Sequence, residues 1–160
     1  MSIAIYPGSF DPFTLGHGYI AERACCVFDR VIIAVAEETY KENLFTTVER
    51  VSFIRDATSH LANCEVEIYE GLTMDFALQQ GAVVIVRGLR SAADYEYETQ
   101  IAAIHKHLNA DVETVFFSCD SRYAFVSSTA VKSLCGSGGK ISGLVTPMVE
   151  AALHEKLLIC

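Results

Sequence analysis

The chain has 160 residues, the size of one ordinary domain, and 51% of them are hydrophobic, as in globular proteins. Its formal net charge of −8 argues against a protein that wraps a nucleic-acid backbone, so any anion site must be local. No apolar run approaches the roughly 20 residues of a membrane span, and the first residues lack a signal-peptide pattern. We therefore expect one cytoplasmic domain, residues 1–160, that binds neither nucleic acid nor membrane.

Apolar runs along the chain predict five strands separated by helical patterns. In chain order these are Ile3–Tyr6, Val31–Ala36, Glu65–Tyr69, Val83–Arg87 and Thr114–Ser118. Two of them contain continuous apolar runs, "VIIAVA" and "AVVIV", which are typical of parallel strands covered by helices on both faces. The alternation predicts an α/β fold: a doubly wound, five-stranded parallel sheet of Rossmann-like type.

Three of the helical patterns begin with a residue suited to an N-cap, namely Thr46, Ser91 and Thr146. An acidic residue three positions after each of the first two resembles a capping box, and a proline directly follows the third. The first of these helices is predicted to run towards His60. Gly81 follows "DFALQQ" at a point where a helix would stop.

The turn after the first predicted strand is unusually rich in glycine and proline. Residues 6–20 read "YPGSFDPFTLGHGYI" and lead from that strand into a helix. Gly8 and Gly16 allow a ligand to approach the backbone closely, and a helix N-terminus attracts anions. His17 lies in the first helical turn, where its ring N–H could meet an anion. Neither GxGxxG nor the P-loop pattern is present in this stretch.

A second concentration of polar residues, "VRGLRSAADYEYE", begins at the carboxyl end of the fourth predicted strand. Arg87 and Arg90 can bind phosphate groups through their guanidinium forks. The alternative is that both pair with nearby acidic residues at the surface. Their position at the carboxyl end of a strand favours phosphate binding.

A third segment, "YAFVSSTAVK", places three hydroxyl residues before a short apolar helix. Ser127, Ser128 and Thr129 could cap that helix or hold phosphate oxygens. Lys41, after the second strand, could neutralise a phosphate or be a solvated surface lysine. We find no sequence pattern for a metal site.

Taken together, these motifs resemble the nucleotidyltransferase superfamily. "TLGH" resembles the core of its first signature, and "VSSTAVK" resembles its second. With "RGLRSAADYEYE" and "ISGLVTPMVEAALHEKL", the chain looks like the phosphopantetheine adenylyltransferase family over nearly its full length. That resemblance implies transfer of the adenylyl group of ATP to 4′-phosphopantetheine, giving dephospho-coenzyme A and pyrophosphate. It further implies Mg²⁺ bound through the ATP phosphates, a homohexamer and feedback inhibition by coenzyme A.

The resemblance also implies roles for particular residues. His17 would stabilise the transition state at the α-phosphate. ATP would contact Ser9, Phe10, His17, Gly88, Leu89, Arg90, Glu98, Tyr123, Ala124, Phe125, Val126, Ser127, Ser128 and Thr129. The acceptor would contact Ser9, Lys41, Thr73 and Arg87.

The chain departs from the family pattern at a few positions. Ser9 replaces a common threonine and keeps its hydroxyl, whereas "ENLF" after Lys41 lacks a proline often found there. Thr73 lies in a variable stretch, and its contact could come from the backbone. The alternatives are another nucleotidyltransferase, such as a nicotinamide mononucleotide adenylyltransferase or a cytidylyltransferase, and a non-catalytic ATP-binding regulator.

Overall fold

The computed structural model describes residues 1–37 and 42–158, in which strands alternate with helices. The strands are β1 (Ile3–Gly8), β2 (Arg30–Ala36), β3 (Cys64–Tyr69), β4 (Val84–Leu89) and β5 (Glu113–Ser118). The helices are α1 (Leu15–Cys25), α2 (Thr47–Thr58), α3 (Thr73–Gln79), α4 (Ala92–Leu108), α5 (Ser128–Gly136) and α6 (Pro147–Leu157), with a 3₁₀ turn at Ser121–Tyr123. None of these helices is both long and apolar enough to cross a lipid bilayer.

The five strands form one parallel sheet in the order β3-β2-β1-β4-β5. The predicted five-stranded parallel sheet is therefore confirmed. The chain adds strands outward from β1 to β3 and then returns to place β4 on the other side of β1. This reversal leaves a crevice at the carboxyl ends of β1 and β4, the usual ligand position in such sheets.

Strand β4 ends two residues later than the sequence predicts. It pairs with β5 as far as Leu89, which lies opposite Ser118. Arg87, predicted as the last residue of the strand, lies opposite Phe116 and is followed by two more strand residues. The apolar run ends at Val86, but hydrogen bonding to a neighbouring strand continues the extended backbone beyond that run.

Helices cover both faces of the sheet, as the continuous apolar strands predict. Ile5, Ile32 and Ile85 lie on the face that α3 covers, packed with Phe76. The opposite face packs against residues of α1, α2, α5 and α6. Because successive strand residues point to opposite faces, a strand buried on both sides must be apolar throughout.

The predicted N-caps are also confirmed. The hydroxyl of Thr46 accepts a hydrogen bond from the backbone N–H of Glu49, whose carboxylate accepts one from the Thr46 N–H at 2.7 Å. Ser91 caps α4 and Thr146 caps α6. Helix α2 ends at Thr58, short of the predicted extension towards residue 60.

Candidate active site

A cavity of about 340 Å³ opens at the carboxyl ends of β1 and β4. Five segments line it: the end of β1 with the turn after it, the first turns of α1, the end of β4 with α4, the residue after β5, and the start of α5 with the residues before it. The lining residues are Tyr6, Pro7, Gly8, Ser9, Phe10, Thr14, Gly16, His17, Ile20, Arg87, Gly88, Arg90, Asp94, Glu98, Cys119, Val126, Ser127, Ser128 and Thr129. Three motifs that are distant in sequence therefore meet at one end of the sheet.

The turn after β1 is shaped around the ring of Phe10. A Cβ atom on Gly8 would lie 2.9 Å from Cζ of Phe10, so glycine leaves room for that ring. Phe10 itself has a φ of 49°, an uncommon conformation for a residue with a side chain. Its ring contacts the imidazole of His17 edge-on, with 5.2 Å between ring centroids. The turn thus builds one wall for the histidine.

His17 is held by the cap of its own helix. The backbone N–H of Thr14 donates to Nδ1 of His17 at 3.0 Å, and the Thr14 hydroxyl accepts from the His17 backbone N–H at 3.3 Å. Because a backbone N–H can only donate, Nδ1 must accept, and the proton of the neutral ring lies on Nε2. His17 therefore retains an Nε2–H donor with which to bind a ligand.

Burial keeps the imidazole of His17 uncharged. The ring packs against Phe10 and Phe13, and this burial, with the charges of Arg90 and Arg87, lowers its pKa to about 4. At neutral pH the side chain is a hydrogen-bond donor without a full charge. Such a group stabilises an oxygen on which negative charge develops.

Arg87 is fixed in a two-point ion pair. Its Nε and Nη2 donate to the two carboxylate oxygens of Glu98 at 2.6 and 2.7 Å, and its Nη1 donates to the carbonyl of Pro7 at 3.3 Å. A guanidinium carries five N–H groups, so further donors remain for a ligand. The sequence offers two alternatives for Arg87, pairing with an acidic residue or lining a ligand site. In the structure it does both.

Arg90 connects two of the motifs. Its Nε donates to Asp94 at 3.1 Å, while its Nη1 donates to the carbonyl of Val126 at 3.0 Å. The second contact ties the segment after β4 to the segment before α5. A guanidinium in this position can orient both segments around a bound phosphate chain.

The start of α5 presents a helix N-terminus to the cavity. The Ser127 hydroxyl accepts from the Ala130 N–H at 3.0 Å, which confirms the capping role. The Ser128 hydroxyl donates to the carbonyl of Pro12 at 2.8 Å and so joins this segment to the turn after β1. Backbone N–H groups in a first helical turn lack partners within the helix and attract anions.

A buried carboxylate outside the cavity lining braces the segments around the site. Asp11, 4% exposed, accepts from the backbone N–H groups of Leu44 and Phe45 and from Nζ of Lys132, each at 2.9 Å. Burial raises the pKa of Asp11, but the three donors more than offset it and leave the pKa below its ordinary value. Asp11 thereby joins the turn after β1 to α5 and to the segment before α2.

The cavity collects most of the site residues expected from the sequence, but not all of them. Thr73, the first residue of α3, lies outside the lining, and its hydroxyl is 3.0 Å from that of Tyr69. Leu89, Tyr123, Ala124 and Phe125 also lie outside the lining. Lys41 lies outside the described residues.

Sequence reasoning missed several lining residues. Thr14 stands directly before an apolar helical pattern, so its capping role could have been recognised. Cys119 follows the last strand, at the edge where ligands bind. Tyr6 and Ile20 look like ordinary core residues, and nothing local in the sequence marks them.

Comparisons with known proteins bear on the chemistry of this cavity. Residues 5–134 match the family model described as cytidylyltransferase-like. A phosphopantetheine adenylyltransferase of Heliobacterium modesticaldum is 49% identical over 98% of this chain and 93% of the relative. Enzymes of the same name from Moorella thermoacetica, 45% identical over 98% of both chains, and from Geobacter sulfurreducens, 46% identical over 96% and 94%, are also similar.

Proposed function

The chain belongs to the phosphopantetheine adenylyltransferase family of cytidylyltransferase-like proteins, and from this we propose how its cavity performs the family's reaction. The enzyme transfers the adenylyl group of ATP to 4′-phosphopantetheine, giving dephospho-coenzyme A and pyrophosphate. It is a nucleotidyltransferase of coenzyme A biosynthesis.

The observation that supports this mechanism best is the uncharged His17, whose Nδ1 is occupied by Thr14 in a cavity with two arginines. The attacking group is a phosphate monoester, already largely dianionic near pH 7 because its second pKa is about 6. The attack therefore needs no general base. Catalysis depends on positioning the two phosphates and on stabilising charge at the α-phosphate, for which the Nε2–H of His17 is suited.

The two substrates divide the cavity between them. We assign ATP to Ser9, Phe10, His17, Glu98, the segment Gly88–Arg90 and the segment Tyr123–Thr129. We assign the phosphate of the acceptor to Ser9 and Arg87, with Lys41 and Thr73 further along the pantetheine arm. This division is supported by the shared lining of one cavity, where Arg87 and Ser9 lie together with His17, Arg90 and the start of α5.

Magnesium fits this cavity as an ion carried by the substrate. In residues 1–37 and 42–158, no cluster of three or more His, Cys, Asp or Glu side chains could hold a metal. The two carboxylates of the lining, Asp94 and Glu98, are paired with arginines. We therefore propose that the ion binds through the ATP phosphates, where it neutralises charge on the departing pyrophosphate.

The same proposal extends to assembly, regulation and location. Apolar side chains on α3 and α4, among them Leu78, Tyr97 and Ile104, are half exposed or more, which supports contact between copies in a homohexamer. Feedback inhibition by coenzyme A would follow from its chemical overlap with both substrates. A cytoplasmic location and a single domain over residues 1–160 remain predictions.

The test is pyrophosphate release from ATP and Mg²⁺ with 4′-phosphopantetheine, with nicotinamide mononucleotide, and with no acceptor. Of the three mixtures, we expect release only in the one that contains 4′-phosphopantetheine. Release with nicotinamide mononucleotide alone would move the chain to another branch of the superfamily. ATP binding without release in any mixture would favour a regulator.

A further inference from the structure

The most deeply buried charged side chain of the described residues lies outside the cavity. Arg50, in the first turns of α2, is 1% exposed. Within residues 1–37 and 42–158, no carboxylate forms a salt bridge with it, and its Nε has no hydrogen-bond partner. Burial lowers its pKa below the ordinary value, against the opposing charges of Asp11 and Glu37.

The guanidinium of Arg50 joins the ends of two neighbouring strands. Its Nη1 donates to the carbonyl of Ser9 at 2.6 Å and to that of Ala36 at 3.0 Å. Ser9 directly follows β1, and Ala36 is the last residue of β2. The Cα pairing of β1 with β2 ends one residue before each of these positions. Arg50 thus continues the connection between the strands after their own pairing stops.

The Ser9 carbonyl belongs to the peptide group that sets the backbone of Phe10. Phe10 has the uncommon φ of 49°. Its ring packs against Gly8, where a Cβ would collide with it, and contacts the imidazole of His17. Backbone in such a conformation persists only where the surroundings hold it. The hydrogen bond from Arg50 supplies such a hold.

A role in packing alone does not account for this arrangement. A buried guanidinium without a carboxylate partner loses its hydration, and hydrogen bonds to backbone carbonyls restore only part of that free energy. A well-packed apolar residue in the same place is often at least as stabilising as the buried charge. The unpartnered Nε adds to that cost. What an apolar side chain cannot do is bind the carbonyls of two strand ends at once.

We propose that Arg50 is a positioning residue for adenylyl transfer, which orients His17 through the Ser9–Phe10 peptide by holding that peptide to the end of β2. This inference rests on the proposed function for its kinetic test. A second test, on the free protein, does not depend on activity.

The kinetic test compares Arg50→Met and Arg50→Lys with Arg55→Met, which removes an exposed arginine from the same helix. We expect Arg50→Met to lower kcat at least tenfold while the KM for ATP changes less than about threefold, since substrate contacts remain. Arg50→Lys keeps the charge but not the fork, and should fall between the wild type and Arg50→Met. Arg55→Met should match the wild type. An unchanged kcat in folded Arg50→Met would overturn the proposal.

A double-mutant cycle with His17→Ala separates positioning from general destabilisation. If Arg50 acts through His17, the loss in the double variant will be smaller than the product of the two single losses. Independent, multiplying losses would instead show that Arg50 acts elsewhere. All assays are run well below the melting temperature of each variant.

The second test follows the His17 ring by NMR titration of the free protein. In Arg50→Met, Phe10 should pack less tightly against His17, which exposes the imidazole to water and raises its pKa by about one unit. Arg55→Met should leave the pKa of His17 unchanged. An unchanged titration would overturn the proposal, even if the wild type released no pyrophosphate and the proposed function failed. If Arg50→Met does not fold, Arg50→Lys is titrated instead.

Discussion

The backbone N–H of Thr14 donates to Nδ1 of His17, so the cap of α1 also determines which ring nitrogen carries the proton. In an ordinary capping box, a Glu or Gln at this helical position accepts from the N-cap backbone. Here a histidine makes the same contact and still has Nε2 available for a substrate. Helix capping and the orientation of the imidazole are therefore provided by one hydrogen bond.

Replacing His17 tests that arrangement directly. We expect His17→Ala to lower kcat more than tenfold, about 1.4 kcal/mol of barrier, because the lost hydrogen bond strengthens as charge develops. ATP affinity, measured by calorimetry, should change much less. His107→Ala, which removes an exposed histidine from α4, is the control. A change in turnover below tenfold would contradict the assigned role.

The lowered pKa of His17 predicts a dependence of stability on pH. The folded protein holds this group at a pKa of about 4, below the ordinary 6.5, so folding favours the neutral ring. The contribution of the neutral His17 ring to the free energy of unfolding is complete above pH 6.5 and is lost as the pH falls towards 4. The free energy of unfolding, measured with urea at pH 7 and at pH 4.5, should fall between the two by about 2 kcal/mol more in the wild type than in His17→Gln. Equal losses would show that the ring is not held neutral.

Arg87→Ala should mainly weaken binding of 4′-phosphopantetheine, with at least a tenfold rise in its KM and a smaller effect on ATP. Removing the arginine also leaves Glu98 unpaired, with its side chain 11% exposed, which lowers stability. The double variant Arg87→Ala/Glu98→Gln removes that charge and shows whether the KM effect persists. Unchanged acceptor affinity in both variants would refute the assignment.

Gly88→Ala should distort the cavity from the β4 side. The added Cβ would lie 3.0 Å from Cγ1 of Ile20, a buried residue of α1 with little room to move. We expect a loss of about 1–3 kcal/mol in unfolding free energy, together with lower kcat/KM. Gly136→Ala is the matched control, because nothing lies within 4 Å of its added Cβ. Equal effects of both substitutions would contradict this explanation.

Asp11→Asn should destabilise the fold by about 3 kcal/mol, measured by urea unfolding. The amide cannot accept at both oxygen positions, so one backbone N–H of Leu44 or Phe45 loses its partner, and Lys132 loses its counter-charge. Asp56→Asn, at an exposed position of α2, should change stability by less than about 0.5 kcal/mol. Similar values for the two variants would exclude the bracing role of Asp11.

The parts of the fold that could be predicted depend on local chemistry. Continuous apolar runs predicted β2 and β4 because a strand covered on both faces must be apolar throughout. Thr46, Ser91 and Thr146 predicted helix starts because a hydroxyl can bind the free N–H groups of the first turn. The position of His17 followed from the same reasoning, as a residue in the first turn after a strand.

Tertiary structure decided which of these residues meet. Strand β4 continues past Arg87 to Leu89 because β5 extends the pairing, which no feature of residues 82–90 indicates. Arg50 looks like a solvated residue in "TTVERVSF", yet it is buried because two strand ends present carbonyls at that point. The sequence by itself determined the strands, the caps and the cluster of phosphate-binding residue types, since each depends on neighbours along the chain. The cavity around His17 depends on contacts between distant segments, such as Ser128 with Pro12, 116 residues apart, and only packing brings those together.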